Sequence, residues 1–151
     1  MERSLQLVAV NIRSAQNIGS LFRTADSLGV SKIWITGYSP TPEHVMVNKT
    51  ALGAEEAVDW EQVTDPIECL ERLKREGVRI VGLELTHGAV DLADYEPTFP
   101  MALVLGNEVE GLTTMQLARC DDVIAIAQRG IKESMNVGVA AGIAAWALLH
   151  R

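Results

Sequence analysis

Aromatic side chains are scarce, at 5% of the 151 residues, and cysteine is nearly absent. Cys69 and Cys120 form no Cys-x-x-Cys pair and match no metal-ligand spacing, so they read as ordinary thiols of a reducing cytoplasm. His44, His87 and His150 are isolated from each other and from the cysteines, and no metal site is expected. No apolar run reaches 18 residues, which argues against a transmembrane helix. The opening segment MERSLQLVAVNIRS has too short an apolar stretch for a secretory signal, so a cytoplasmic location is expected. Neither a GK[ST] phosphate loop nor a GxGxxG fingerprint occurs, and there is no repeat or low-complexity linker. Positive charge is in deficit too, with a net charge of −7 that argues against a generic nucleic-acid binder.

What is present is an apolar fraction of 48% and a charged fraction of 22%, the balance of a globular chain. The length fits one domain, residues 1–151, with one core. Ala, Val, Ile, Leu and Gly suit close-packed α/β layers. The acidity is local. Residues 1–50 carry five basic and three acidic side chains, residues 51–118 four and fourteen, and residues 119–151 four and three. Both ends are mildly basic and the middle is an acidic, solvated stretch.

Leu5–Val10 is a short β-branched apolar run that reads as a buried strand. Ile18, Leu21, Phe22, Ala25 and Leu28 follow at helical spacing, and Gly29 marks a stop. Further strands are predicted over Ile33–Thr36, Arg79–Leu85, Met101–Leu105 and Val123–Ile126. Asp65-Pro66 opens a helix with the stripe Ile67, Leu70 and Leu73, and Gly77 closes it. Thr113–Arg119 forms a short helix and Asn136–His150 a final one. Strands alternating with helices predict an α/β fold, a mostly parallel sheet flanked by helices.

The final helix has almost no polar face, from Val137 and Val139 through Ile143, Trp146 and Leu149. A helix apolar all round needs cover all round. One sheet covers one side, so the other is expected to meet a second copy by two-fold symmetry, as a homodimer.

Ligands of open parallel sheets bind beyond the carboxyl ends of the strands, and three polar clusters fall there. In Asn11–Arg23, Arg13 and Arg23 near a helix N-terminus would make an anion site. The alternative is that Ser14 or Asn17 caps the helix and both arginines are surface charges. Gly106–Gly111 (GNEVEG) directly follows a buried strand, and its glycines allow a tight turn and close approach to a ligand. Gln128–Asn136 (QRGIKESMN) lies at the mouth of the last helix, where Ser134 and Asn136 could simply be caps and Glu133 would suit its positive end.

In this order and spacing the clusters resemble the three motifs of the SpoU/TrmH family of the SPOUT methyltransferase superfamily: Asn17–Arg23 (NIGSLFR), Leu105–Leu112 (LGNEVEGL) and Ser134–Ala141 (SMNVGVAA). Lys49–Glu55 (KTALGAE) also resembles the Ala-Gly-Ala stretch between the first two. The resemblance implies a C-terminal trefoil knot, an obligate dimer, S-adenosylmethionine as methyl donor and a ribose 2′-hydroxyl of RNA as acceptor. Arg23 falls on the catalytic arginine, Asn17 on the asparagine that supports it, Glu108 on the second-motif glutamate, and Ser134 and Asn136 on the third-motif pair. Leu105, Gly106, Asn107, Gly111, Ile126, Gln128, Ile131, Ser134 and Met135 would line the cofactor site.

An arginine stays protonated in essentially all proteins, so Arg23 is read as positioning the hydroxyl or an adjacent phosphate, with Asn17 and Asn136 orienting it. Glu108 would hold a water or a partner side chain. RNA would rest on a composite surface of the dimer through Arg13, Arg23, Lys32, Arg129 and Lys132. The family's usual Ile-Pro-Met is here Ile126-Ala127-Gln128, which bears on cofactor affinity more than on reaction type. A chain little longer than the catalytic domain favours transfer RNA over ribosomal RNA. The competing readings are a knotted SAM- or RNA-binding protein without methyl transfer, and a nucleotide-binding sensor unrelated to methylation.

Overall fold

The computed structural model describes residues 3–131 and 134–151. Seven strands form one sheet in the order β3-β2-β1-β6-β4-β7-β5. Every pairing is parallel. The strands are β1 (Leu5–Val10), β2 (Lys32–Thr36), β3 (Asp59–Val63), β4 (Arg79–Leu83), β5 (Val90–Asp91), β6 (Met101–Leu105) and β7 (Asp122–Ala125). The helices are α1 (Ala15–Leu28), α2 (Val45–Ala51), α3 (Ala54–Ala57), α4 (Pro66–Arg75), α5 (Thr114–Ala118) and α6 (Val137–Leu149). Strand β6 inserts between β1 and β4, and β7 between β4 and β5. The chain therefore re-enters the sheet twice after starting its far edge.

The period of two along β1 sorts its side chains between two cores. Leu5, Leu7 and Ala9 pack with Ile18, Leu21 and Phe22 of α1 and Ala141, Ala144 and Leu148 of α6. Val8 and Val10 face the other way, with Trp34 and with Cys69, Leu70 and Leu73 of α4. Helices on both faces explain why β6 is buried at every position. Burial pushes the Cys69 thiol up to about 12 and the Cys120 thiol up to about 11, and both cysteines are free.

The expected helix ends are found. Asp65 Oδ1 accepts from the Ile67 amide at 2.9 Å with Pro66 in the first turn, and Gly29 takes a left-handed φ of 76° beyond α1. Four elements have no counterpart in the sequence reading: α2, α3, β3 and β5. Strand β4 stops at Leu83, short of the expected Leu85, and β7 runs one residue earlier than expected.

Helix α6 is covered on one side. Ala141, Ala144, Ala145 and Leu148 are buried, while Val139, Ile143 and Trp146 are 54%, 42% and 56% exposed. No helix among the described residues is long and apolar enough to cross a membrane.

Candidate active site

Because all strands run parallel, the segments leaving β1, β4, β6 and β7 gather at one edge of the sheet. A cavity of about 460 Å³ opens there, walled by residues 83–86 and 105–112, by Ala125, Ile126 and Gln128, and by Ser134, Met135, Val137 and Ala140. Of the nine side chains or backbones expected at a cofactor, eight line it: Leu105, Gly106, Asn107, Gly111, Ile126, Gln128, Ser134 and Met135. Ile131 does not. Its side chain is 97% exposed and points away from any core, a correction to the expected lining.

Gly106 makes the cavity possible. A Cβ there would lie 2.6 Å from the Gly111 carbonyl carbon and 2.7 Å from the Leu112 nitrogen, distances that only a missing side chain allows. The turn between them is tied from inside by Asn107. Its Oδ1 accepts the amides of Val109 and Glu110 at 2.8 Å each, and its Nδ2 donates to the Asn11 carbonyl and the Tyr38 hydroxyl. Asn107 therefore spends its polar atoms on shape, and its contribution to a ligand is the wall it builds.

Arg13 and Arg23 are both exposed, as in the capping alternative, and at the start of α1 the chain's own carboxylate is held by N–H groups. Glu108 Oε1 accepts the Arg13 amide at 2.9 Å, and Oε2 accepts the Ser14 amide and the Asn17 side-chain amide, each at 2.9 Å. Ser14 is the helix cap. Burial works to raise the Glu108 carboxyl, but these N–H donors outweigh it and hold the group below the usual carboxylate range. Asn17 Oδ1 in turn accepts from Asn136 Nδ2 at 3.2 Å, and Asn136 Oδ1 caps α6 through the amides of Gly138 and Val139. One chain of bonds thus joins the three sequence clusters, starting two helices at the cavity's rim. Glu108, expected to hold a water or a partner side chain, holds the Asn17 side chain and staples clusters one and two together.

Arg23 stands apart. It is exposed, and it lines a second, shallower opening between α1 and α6 with Ser20, Thr24, Ser27, Leu28, Gly142 and Trp146. Asn17 and Asn136 were expected to orient it, and within this chain they bond to each other instead. The six-residue spacing accounts for this, since it puts Arg23 about 9 Å farther along the helix and on a different flank.

The expected RNA contacts also divide. Arg13 and Arg129 are exposed in the segments beside the cavity. Lys32 lies at the amino end of β2, about 13 Å of strand away from the carboxyl edge. Its Nζ pairs with Glu61 Oε1 at 3.0 Å and lies 3.9 Å from the centre of the Trp34 ring, so it is engaged in the wall of the domain. Lys132 lies outside the described residues. Sequence reasoning missed Glu84, Leu85 and Thr86, which follow β4 and line the cavity. The available signal was the position of Glu84 just past a buried parallel strand.

Comparison with known proteins gives this geometry its relatives. Over 144 residues the chain is 35% identical to a protein of Vibrio parahaemolyticus named 23S rRNA (guanosine-2′-O-)-methyltransferase RlmB, covering 94% of this chain and 57% of that protein. The chain thus spans little more than half the length of this curated relative. The SpoU methyltransferase AviRb of Streptomyces viridochromogenes, solved in complex with the cofactor AdoMet, superposes with a TM-score of 0.91 at 25% identity, over 99% of this chain and 61% of that one. The TrmH/SpoU tRNA modifying enzyme of A. aeolicus superposes with a TM-score of 0.88 at 27% identity, over 99% and 75%. The sequence pattern of the SpoU rRNA Methylase family matches residues 4–146, and the chain belongs to that family.

Proposed function

We propose that this chain carries the catalytic site of a methyltransferase that uses S-adenosylmethionine to methylate a ribose 2′-hydroxyl of RNA. The observation that carries this reading is the chain of bonds Glu108–Asn17–Asn136 at the rim of the glycine-walled cavity. It draws the three family motifs into one place. The cavity's volume is within the range of small-molecule sites, and the missing Cβ of Gly106 leaves bare backbone at its wall, the surface a flat heterocycle needs. Both features fit S-adenosylmethionine, with Leu105–Gly111, Ile126, Gln128, Ser134 and Met135 holding it. Bound there, it would supply a methyl group on a sulfonium.

The chain's own residues would do the rest. Arg23, permanently protonated, grips the ribose or a neighbouring phosphate and sets the hydroxyl in line. Ser134 and Asn136 stand between that hydroxyl and the cavity. Arg13 and Arg129 attract the RNA backbone from beside it. The open stripe on α6 is covered by a second copy, which places Arg23 at the seam between two protomers and makes the RNA surface a shared one. The cavity-forming portion is one domain, threaded as a trefoil knot where β6 and β7 re-enter the sheet, and it works in the cytoplasm.

Ribosomal RNA is the acceptor favoured by the curated relatives, whose names specify 23S rRNA. These names support ribosomal RNA over the transfer RNA expected from the chain's compact length. The test is transfer of labelled methyl from S-adenosylmethionine to separated ribosomal and transfer RNA pools from cells lacking this protein, followed by digestion to nucleosides and mass spectrometry. A 2′-O-methylnucleoside from the ribosomal pool, absent with Arg23→Ala, supports the whole reading. A base-methylated product overturns the acceptor. Cofactor binding with no product from either pool favours the non-catalytic reading, toward which the separation of Arg23 from the cavity within one chain points.

A further inference from the structure

The walls of the cavity are acidic. Glu84, Glu108 and Glu110 line it, and no lysine, arginine or histidine does so among the described residues. The three carboxylates are not equivalent. Both oxygens of Glu108 are taken by the start of α1. Glu110 is exposed at the rim, where solvent screens it. Glu84 is half-buried between the exit of β4 and the glycine loop. Its Oε2 accepts the Leu112 amide at 2.5 Å, and its Oε1 takes no hydrogen bond from any described residue. Gly111, with a left-handed φ of 69°, lets the loop pass this close, since a Cβ there would sit 2.3 Å from Glu84 Oε2.

We infer that Glu84 makes the cavity selective for the positively charged methyl donor over its neutral product. The inference rests on the function proposed above. S-Adenosylmethionine carries a sulfonium that S-adenosylhomocysteine lacks, and the two are otherwise the same molecule. In methyl transfer the sulfur–carbon bond breaks, its electron pair returns to sulfur, and the methyl carbon bonds to the ribose oxygen, whose proton leaves. The positive charge leaves the cavity with the methyl group and that proton. A carboxylate in a concave, poorly screened wall holds the cation more tightly than the thioether, so the spent product is released.

The test is calorimetric titration of S-adenosylmethionine and of S-adenosylhomocysteine into the unaltered protein, into Glu84→Gln and into Glu68→Gln. Glutamine keeps a carbonyl oxygen for the Leu112 amide and removes the charge. The expected result for Glu84→Gln is a loss of roughly tenfold for the donor and less than twofold for the product, with Glu68→Gln, an exposed carboxylate on α4 outside the cavity, near wild type for both. Raising the salt concentration on the unaltered protein should narrow the donor-to-product ratio, a measurement that needs no variant to fold. Equal losses for the two ligands, or a ratio unmoved by the substitution and by salt, would overturn the inference and leave Glu84 as a support for the loop. Failure of the unaltered protein to bind either ligand would overturn the proposed function, and the selectivity with it.

Discussion

Glu108 and Asn17 lie 91 residues apart in the chain and meet at 2.9 Å, carboxylate oxygen to side-chain amide. The same carboxylate accepts two backbone amides at the start of α1, so one side chain fixes both the entry to the helix and the outer wall of the cavity. Replacing it with alanine leaves three N–H donors competing for water at a partly buried site. Hydrogen bonds to a charged acceptor contribute more than neutral ones. Glu108→Ala is expected to lose about 2 kcal/mol of stability. Urea unfolding checks this. A midpoint within error of the unaltered protein would mean the staple is energetically idle.

The same carboxylate sets an acid limit. Its folded-state pKa is lowered, so the native state binds the proton less well than the unfolded chain. Its contribution is fully present above the ordinary value of 4.5 and fades as pH falls through the lower folded value. The stability gap between the unaltered protein and Glu108→Gln should therefore be constant from neutral pH to about 5 and shrink as pH falls below 4.5. Urea titrations at a series of pH values measure it. A gap that widens in acid would show that the sign is wrong.

The sheet's interior was legible because β1 and β6 are nearly unbroken apolar runs, which parallel burial demands. Helix α4 announced itself through Asp65-Pro66. Strand β3 did not, because Asp59, Glu61 and Gln62 break the apolar pattern of an edge strand whose Glu61 pairs with Lys32 and Arg72. Helix α2 is capped by His44, whose Nδ1 accepts the Met46 amide, and capping preferences do not point to histidine. The site was half legible. Motif spacing brought Asn17, Glu108 and Asn136 together, while their actual partners depend on how β6 threads beside β1, which no local pattern encodes.

Gly106 should tolerate nothing larger. An added methyl would press on backbone atoms of Gly111 and Leu112, which cannot rotate away as a side chain could. Gly106→Ala is expected to cost about 1–3 kcal/mol and to weaken S-adenosylmethionine binding at least tenfold. Thermal unfolding and calorimetric titration check the two effects separately. Normal affinity in this variant would mean that the ligand does not use this wall.

Arg23 makes the opposite case. Its guanidinium has no hydrogen-bond or ion-pair partner among the described residues, so removing it should change stability by less than about 0.5 kcal/mol. Methyl transfer to RNA should nevertheless fall by orders of magnitude in Arg23→Ala and stay low in Arg23→Lys, because an ammonium cannot reproduce a planar, two-pronged donor. Unfolding curves and labelled-methyl transfer, run on the same preparations, decide it. Near-normal turnover with lysine would reduce Arg23 to a simple positive charge.

Val139, Ile143 and Trp146 lie at helical spacing on the open side of α6, and their exposure is unusual for such large apolar side chains. Arg23 and Leu28 of α1 border the same opening as Trp146. If two copies close over this stripe by a two-fold axis, any charge placed on it enters the interface twice, once from each protomer. Ile143→Glu and Trp146→Glu should then give monomers in sedimentation equilibrium at micromolar concentration while circular dichroism keeps the native helix content. The same variants should lose RNA methylation more than S-adenosylmethionine binding, because the cavity is walled by one chain and such a dimer would put Arg23 at its seam. An unaltered protein that sediments as a monomer would leave the apolar stripe without its partner and return RNA binding to the surface of a single chain.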